Sequence, residues 1–239
     1  METASIIVPI RIGHPAFSCY LDNLNYCLNS IQAQTTPFEF LLVDYGSIVP
    51  YAAQIKSLAN KYGAKYIRGE GPIWSRSIAL NLGINNATKE RALFVDADCV
   101  IPPNYIAQHA ATWTSHNIFT YSPVYDTNEQ VVKSIDPKIL TKYSKGIRPE
   151  GFSHMGVRLQ WLRANGGFNK AYVGWGGEDN DLWLRLRRSG NTQQEVTAHP
   201  YHLWHPFYGD LMASIGKGDL FKKIRQDNRN RYFNFRDAK

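Results

Sequence analysis

Three short runs, SIIVPI, FEFLLVDYGS and RALFVDAD, punctuate the first hundred or so residues of this 239-residue chain, and each stays apolar until its polar end. Successive strand side chains point to opposite faces, so a strand without polar alternation is covered on both. Between the runs the apolar period changes. Phe17, Leu21, Leu24, Leu28 and Ile31 recur at three- and four-residue spacing, which predicts an amphipathic helix from Phe17 to Gln34. Tyr51 to Tyr62 predicts a second helix, AKYI a short strand, and Trp74 to Ile84 a further helix with Ile78 and Leu82 on one face. Strands alternating with helices define an α/β fold with a mostly parallel central sheet flanked by helices.

Asp44 stands at the C-terminal end of the second strand, and Asp96 and Asp98 at the end of the fourth. Open α/β sheets bind ligands in the crevice outside those strand ends, so both acidic sites are expected to face one crevice. Asp96 and Asp98, two residues apart in VDADC, suit a hard cation such as Mg²⁺ or Mn²⁺, which takes carboxylate oxygens and keeps phosphate or water elsewhere. The plainer alternative is a strand end closed by acidic turn residues.

From Ile118 the pattern changes. NIFTYSPVY and EQVVKSI predict strands, Pro137 to Arg148 a polar loop or short helix, and Arg158 to Asn165 a short helix. Glu178 to Ser189 predicts another helix, with Leu182 and Leu186 one turn apart and Gly190 ending it. In HPYHLWHP, His199, His202 and His205 are evenly spaced, and Pro200 and Pro206 make a long helix unfavourable. Neutral imidazoles are good ligands for Mn²⁺ or a similar ion, although at least one of the three is expected to have no such role. In VGWGGEDNDLW, Gly174, Gly176 and Gly177 permit close approach of a ligand to backbone. Glu178 and Asp179 then open the helix, where carboxylates are favoured by the macrodipole. They read either as helix-start charges or as a general base beside a sugar stacked on Trp175. Asp181 and Trp183 are expected at the helix surface and in packing.

The net charge of +7 allows anionic partners, and part of it sits in KKIRQDNRNRYFNFR at the C-terminus. That tail reads as a solvated helix with a frayed end or as a contact for phosphate or an anionic surface, including peripheral contact with a membrane. The basic residues are interleaved with aromatics only there, so no nucleic-acid partner is expected. With 44% hydrophobic and 20% charged residues the composition is that of a folded chain. No apolar run approaches ~18 residues, so no transmembrane segment is expected. METASIIVPIRIGHP lacks the pattern of a signal peptide. Cys19, Cys27 and Cys99 are too few for a disulfide framework. A cytoplasmic setting in a bacterial or viral source is expected.

In order, VPIR, VDYGS, WSRSIALNLGI, LFVDADC, GGFNKAYVGWGGEDNDL and YHLWHP resemble the family-2 glycosyltransferases of the GT-A fold, from about Ser5 to Pro206. GWGGED resembles the C-terminal motif of β-1,4-galactosyltransferases and chondroitin-polymerase-type enzymes. The resemblance implies a Rossmann-like nucleotide-diphospho-sugar transferase domain over 1–239, with a nucleotide-sugar half to about 115, an acceptor half over about 116–210 and a basic tail over 211–239. It implies Pro9 and Arg11 lining the nucleotide pocket, Asp44 on the uracil, Arg76 near the diphosphate, and Asp96 on the ribose or the metal. Asp98 would be the main ligand of Mn²⁺ (or Mg²⁺), with His202 and His205 ranked nearly equally to complete the shell. Trp175 and Gly177 would border the donor sugar, Asp179 would be the base, and Glu178 would orient the acceptor. Outside the stretch of the resemblance, basic tail residues such as Arg229 and Arg231 are placed to help hold the diphosphate or to close over it. The implied partners are a UDP-sugar donor and a glycan or other hydroxyl acceptor. The implied reaction is inverting transfer of a hexose or N-acetylhexosamine in polysaccharide biosynthesis, with galactose, N-acetylgalactosamine or N-acetylglucosamine ahead of glucose. Tyr45 replaces the second acid of the family's VDDGS, which weakens the expectation of uracil specificity. The alternative is a non-catalytic nucleotide-sugar- or carbohydrate-binding protein on the same fold.

Overall fold

The chain runs β1 (Ala4–Ile10), a 3-10 turn (Pro15–Phe17), α1 (Cys19–Gln32), β2 (Phe38–Tyr45), α2 (Val49–Lys61), β3 (Lys65–Gly69), α3 (Arg76–Asn86), β4 (Arg91–Phe94), β5 (Cys99–Val100) and α4 (Tyr105–Thr112). It continues through β6 (Ile118–Tyr121), β7 (Val124–Thr127), α5 (Pro137–Thr141), β8 (Ser144–Arg148), β9 (Met155–Arg158), α6 (Leu159–Ala164), α7 (Glu178–Arg188), β10 (Thr192–Glu195), β11 (Tyr201–His202), α8 (Tyr208–Ser214) and α9 (Gly218–Asp237). This is a computed structural model that describes residues 3–149 and 153–238. The two ends of the domain span expected from the sequence, Met1 with Glu2 and Lys239, lie outside the described residues.

Strand β1 is buried at every position, because β2 and β4 flank it in parallel and side chains of both hands find cover. Ile6, Val8 and Ile10 enter one apolar cluster and Ile7 the other. The alternation repeats on β2, with Phe40 and Leu42 on the first side and Leu41, Val43 and Tyr45 on the second. The main sheet has the order β10-β6-β9-β4-β1-β2-β3, and β9 runs antiparallel to both of its neighbours. The expected α/β architecture with a mostly parallel, helix-covered sheet is therefore present.

A smaller sheet, β5-β11-β7-β8, joins segments that lie far apart in the sequence. Residues 129–135, within the EQVVKSI segment expected to be a strand, do not pair. The Asn128 side chain accepts from the Gln130 N–H at 2.9 Å and turns the chain, leaving Val132 56% exposed. The antiparallel partner of β7 is instead β8, in a segment expected to be a loop or short helix. Being mostly exposed at the sheet edge, β8 carries no apolar signal.

Helix starts also differ from expectation for local reasons. His14 accepts from the Ala16 N–H at 3.1 Å and opens the 3-10 turn, so α1 begins after Phe17. The Ser75 hydroxyl accepts from the Ile78 N–H at 3.3 Å, which starts α3 beyond Trp74. The basic tail is not frayed over its described residues. It forms α9, whose buried stripe of Phe221, Ile224 and Asn228 faces the rest of the protein.

Candidate active site

The small sheet builds one corner of the crevice. In it His202 lies opposite Cys99 on β5 and opposite Asp126 on β7. The Leu203 N–H donates to the Asp98 carbonyl at 2.8 Å. Three remote segments are thereby fixed together. Nε2 of His205 lies 3.3 Å from Asp98 Oδ2, Nε2 of His202 lies 3.7 Å from it, and the two Nε2 atoms are 3.1 Å apart. Octahedral ligands at ~2.1 Å from an ion sit about 3.0 Å from one another, so the spacing suits one shared cation.

The proton positions strengthen that fit. Nδ1 of His205 lies 2.8 Å from the Pro206 carbonyl, which can only accept, so the ring proton belongs on Nδ1. Nδ1 of His202 lies 3.0 Å from Asp126 Oδ1, where an ionised carboxylate likewise only accepts. In the neutral tautomers both rings therefore turn bare Nε2 lone pairs toward each other and toward the Asp98 oxygens. With both rings neutral three electron-rich groups converge, an arrangement that calls for positive charge, whether a proton or a metal ion. The same need shows in the His202 ring. Burial lowers its proton affinity, but Asp98 and Asp126 overcome this and raise its pKa to about 10. Burial would raise the pKa of Asp98, yet His202 and His205 hold it well below the usual carboxylate range. Asp126 is also lowered, as His202 and Arg148 outweigh its burial.

The other corner holds Glu178 and Asp179 at the start of α7. Gly177 caps that helix with φ +97°, and a Cβ there would fall 2.8 Å from the Tyr172 ring, so glycine is required. The segment before it is held from two sides. The Gly174 N–H donates to the Trp74 carbonyl at 2.6 Å, and the Ser75 hydroxyl to the Tyr172 carbonyl at 3.0 Å. From α9, the Asn228 amide donates to the Val173 and Trp175 carbonyls at 2.7 and 3.2 Å. Burial, reinforced by Asp179 and opposed by Arg76, raises the Glu178 pKa to about 7. Asp179 is also raised, by burial first, with Arg76 working against it.

Arg76 links the corners. Its Nη2 lies 2.8 Å from Asp96 Oδ1 and its Nη1 lies 3.6 Å from Glu178 Oε1. Burial opposes the charge of Asp96, but the Arg76 guanidinium outweighs it and lowers the pKa. His154 is itself fully buried 3.7 Å from Asp96, and burial depresses its pKa to about 4, which leaves the ring neutral.

The remaining expected residues differ in burial and in partners. Pro9 is buried within β1, and Arg11 donates to the Gly71 and Pro72 carbonyls at 3.0 and 3.1 Å. Asp44 departs from expectation because it is wholly buried. One of its oxygens accepts from the Ser47 N–H at 3.0 Å, and the other from the Tyr66 hydroxyl at 2.7 Å and from Arg68. A base reaches this carboxylate only by displacing those groups. Trp175 is 44% exposed. His199 packs edge-on to Tyr125, apart from the other two histidines. Asp181, expected at the helix surface, is buried and accepts from Arg185 at 2.9 Å. Arg231 lies over the Tyr172 ring, while Arg229 is exposed over Phe233. Sequence reasoning missed Asp126, His154 and Asn228, which no linear spacing ties to their partners.

The mostly parallel, helix-covered sheet is that of GT-A glycosyltransferase structures. A family model described as glycosyl transferase family 2 matches residues 5–168, and the chain belongs to that family. A second model, described as the N-terminal domain of galactosyltransferase, matches residues 151–206. Hyaluronan synthase of Pasteurella multocida is 23% identical over 196 residues, covering 65% of this chain and 20% of that protein. Beta-1,4-galactosyltransferase 5 of Mus musculus is 23% identical over 191 residues, covering 78% of this chain and 38% of that one. The chain thus spans well under half the length of these relatives. Among solved structures, residues 1–349 of S. aureus TarS superpose with a TM-score of 0.61 at 19% identity, covering 98% of this chain and 72% of that one. The same TarS fragment in complex with UDP-GlcNAc gives a TM-score of 0.63 at 18% identity, covering 98% and 73%. These likenesses identify the fold. No helix among the described residues is long and apolar enough to cross a membrane.

Proposed function

We propose that this chain transfers a hexose or N-acetylhexosamine from a UDP-sugar to a hydroxyl of a glycan or other acceptor, with inversion and with a divalent cation. The observation that carries the proposal is the convergence of the His202 and His205 Nε2 atoms on Asp98, with the Glu178–Asp179 pair linked to the same crevice through Arg76. Support also comes from the family, from the galactosyltransferase relatives and from the UDP-GlcNAc complex of TarS.

In this reading Asp98, His202 and His205 hold Mn²⁺ or Mg²⁺, and Asp126 keeps the proton of His202 on Nδ1 so that Nε2 stays a ligand. The bound cation supplies positive charge that stabilises the departing diphosphate. Pro9 and Arg11 border the nucleotide, and Arg68 and Tyr66, held by Asp44, form the wall that meets the base. Arg76 and Asp96 lie on the ribose and diphosphate side. Trp175 and Gly177 border the sugar, and Glu178 orients the acceptor. Asp179 removes the proton of the acceptor hydroxyl as that oxygen bonds to the anomeric carbon. The bond from that carbon to the diphosphate oxygen breaks, and UDP leaves with the electron pair. One displacement inverts the centre. The raised pKa of Asp179 improves its match to a hydroxyl proton. Residues to about 115 form the donor half, about 116–210 the acceptor half, and 211–239 the tail. The free thiols of Cys19, Cys27 and Cys99 support a reducing, cytoplasmic setting.

The test is a screen of UDP-sugars for UDP release with Mn²⁺ and with Mg²⁺. Metal-dependent release from at least one donor is expected. Donor binding by calorimetry with no release over a broad acceptor panel would make this a binding protein instead.

A further inference from the structure

Helix α9 lies beyond both family matches, which end at residues 168 and 206, yet it is built into the crevice wall. Asn228, only 2% exposed, holds the Val173 and Trp175 carbonyls, and Ile224 packs where a Gly174 Cβ would come within 2.7 Å. Trp175 and Phe207 are 44% and 46% exposed, and their rings meet edge-to-face at 6.3 Å. The Arg225 guanidinium lies over the Trp175 ring at 5.3 Å.

Positions 222, 225 and 229 fall within one narrow arc of a helix and span about 10 Å of its length. Lys222, Arg225 and Arg229 are all exposed there. Lys222 has a partner in Asp219 at 3.4 Å, but among the described residues Arg225 and Arg229 have aromatic rings as neighbours and no carboxylate. Two unneutralised guanidinium groups therefore extend from an exposed aromatic pair whose loop leads in three residues to Glu178.

We propose that this surface is an acceptor subsite for an anionic glycan, one whose sugar rings lie on Trp175 and Phe207 and whose carboxylate, sulfate or phosphate groups meet Arg225 and Arg229. The proposal rests on the transferase reading and specifies the acceptor class for it. Aromatic faces suit the apolar faces of sugars, and guanidinium forks suit planar or tetrahedral oxyanions. A glycan fits better than a lipid surface because Asn228 fixes the Trp175 loop against the crevice, so that a chain lying on the ring runs toward the Glu178–Asp179 pair.

The experiment compares binding of unmodified dextran, carboxymethyl-dextran, dextran sulfate and phosphatidylglycerol vesicles, followed by Trp fluorescence and calorimetry at two salt concentrations. Carboxymethyl-dextran and dextran sulfate are expected to bind, more weakly at high salt, and dextran much less. Arg225→Gln with Arg229→Gln should weaken polyanion binding about tenfold. Lys223→Gln, on the opposite side of the helix, removes equal charge from outside the subsite and should change it little. If the paired variant loses its melting transition, Arg229→Gln alone, at an exposed site, gives the same sign with a smaller effect. Equal binding of dextran and carboxymethyl-dextran, or equal losses from Lys223→Gln and Arg229→Gln, overturns the proposal. Arginine-dependent binding of vesicles without binding of polyanionic dextran overturns it in favour of a membrane surface. UDP release is scored separately. Polyanion binding through Arg225 in a protein that never releases UDP would sink the transferase reading and leave an anionic-glycan site.

Discussion

The two corners of the crevice treat the same chemical group in opposite ways. Asp96, Asp98 and Asp126 are all held below the usual carboxylate range, whereas Glu178 and Asp179 are raised above it. Burial acts in the same direction on all five, so the difference lies in the cations available to each corner. Asp98 has two imidazoles within 3.7 Å, and Asp126 has His202 and Arg148. Glu178 and Asp179 share one guanidinium, and that group lies closer to Asp96 (2.8 Å) than to Glu178 (3.6 Å). The first corner is thus arranged to stay charged and collect a cation. The second is arranged to take up and keep protons. Paired carboxylates with pKa values pushed apart by their surroundings are how one site combines an ionised ligand with an acid–base group.

The sharpest way to break this contrast is to remove the base without disturbing the ligands. Asp179→Asn should lower kcat by about a thousandfold, the middle of the range for a lost general base. UDP-sugar and Mn²⁺ affinity should stay within about threefold. Steady-state kinetics with calorimetry would decide it, and near-native turnover would remove Asp179 from the chemistry. The converse change is His205→Ala. It deletes one of three converging ligand atoms and should weaken Mn²⁺ binding by about a hundredfold or more, read by electron paramagnetic resonance of the free ion. Unchanged Mn²⁺ affinity would mean that the ion is held elsewhere.

How much of this contrast was legible in the sequence follows from how each residue is held. Asp96 and Asp98 were legible because an unbroken apolar run ends just before them, and a strand end in a parallel sheet is a place with known chemistry. The glycines before Glu178 were legible because backbone at positive φ excludes other residues. Asp126 was not. Its partner His202 is 76 residues away, and only the register of β11 on β7 brings them together. Asn228 escaped for the same reason, inside a helix whose charged composition hid a buried stripe. Asp181 was expected at the helix surface, and nothing in its local spacing reveals that it is buried with Arg185 as its partner. In β8 the backbone pairs while the side chains face solvent, so hydrophobic periodicity has nothing to record.

Asp126 sharpens the comparison from the ligand side. Asp126→Ala removes the acceptor that fixes the His202 proton on Nδ1, and Mn²⁺ affinity should fall tenfold to about a hundredfold, the usual cost of losing a carboxylate behind a ligating histidine. Asp126→Asn keeps an oxygen acceptor at the same position and should fall between the native protein and the alanine variant. If alanine and asparagine were equally harmless, His202 would be oriented by the β5–β11–β7 register alone.

The smallest expected effect tests the acid corner through stability. Glu178 has a pKa of about 7 in the fold, against an ordinary value of 4.5. Below the ordinary value the group is protonated in both states and adds no pH dependence. As pH rises from there toward 7, the unfolded chain releases the proton while the fold keeps it. The folded state then binds more protons, and stability falls with pH until the group ionises in the fold as well. Above about pH 7 the whole cost of a buried carboxylate is present. Glu178→Gln cannot ionise, so it should gain stability relative to the native protein between pH 5 and pH 8, by on the order of 2 kcal/mol. Urea unfolding at the two pH values measures this directly. Carboxylates with lowered pKa values, such as Asp96, act in the opposite sense, since their contribution is present above the ordinary value and is lost on acidification. Parallel stability curves for the native protein and Glu178→Gln over that interval would show that Arg76 neutralises Glu178 as fully as it does Asp96. The two corners would then differ only in metal-binding geometry, not in how they carry charge.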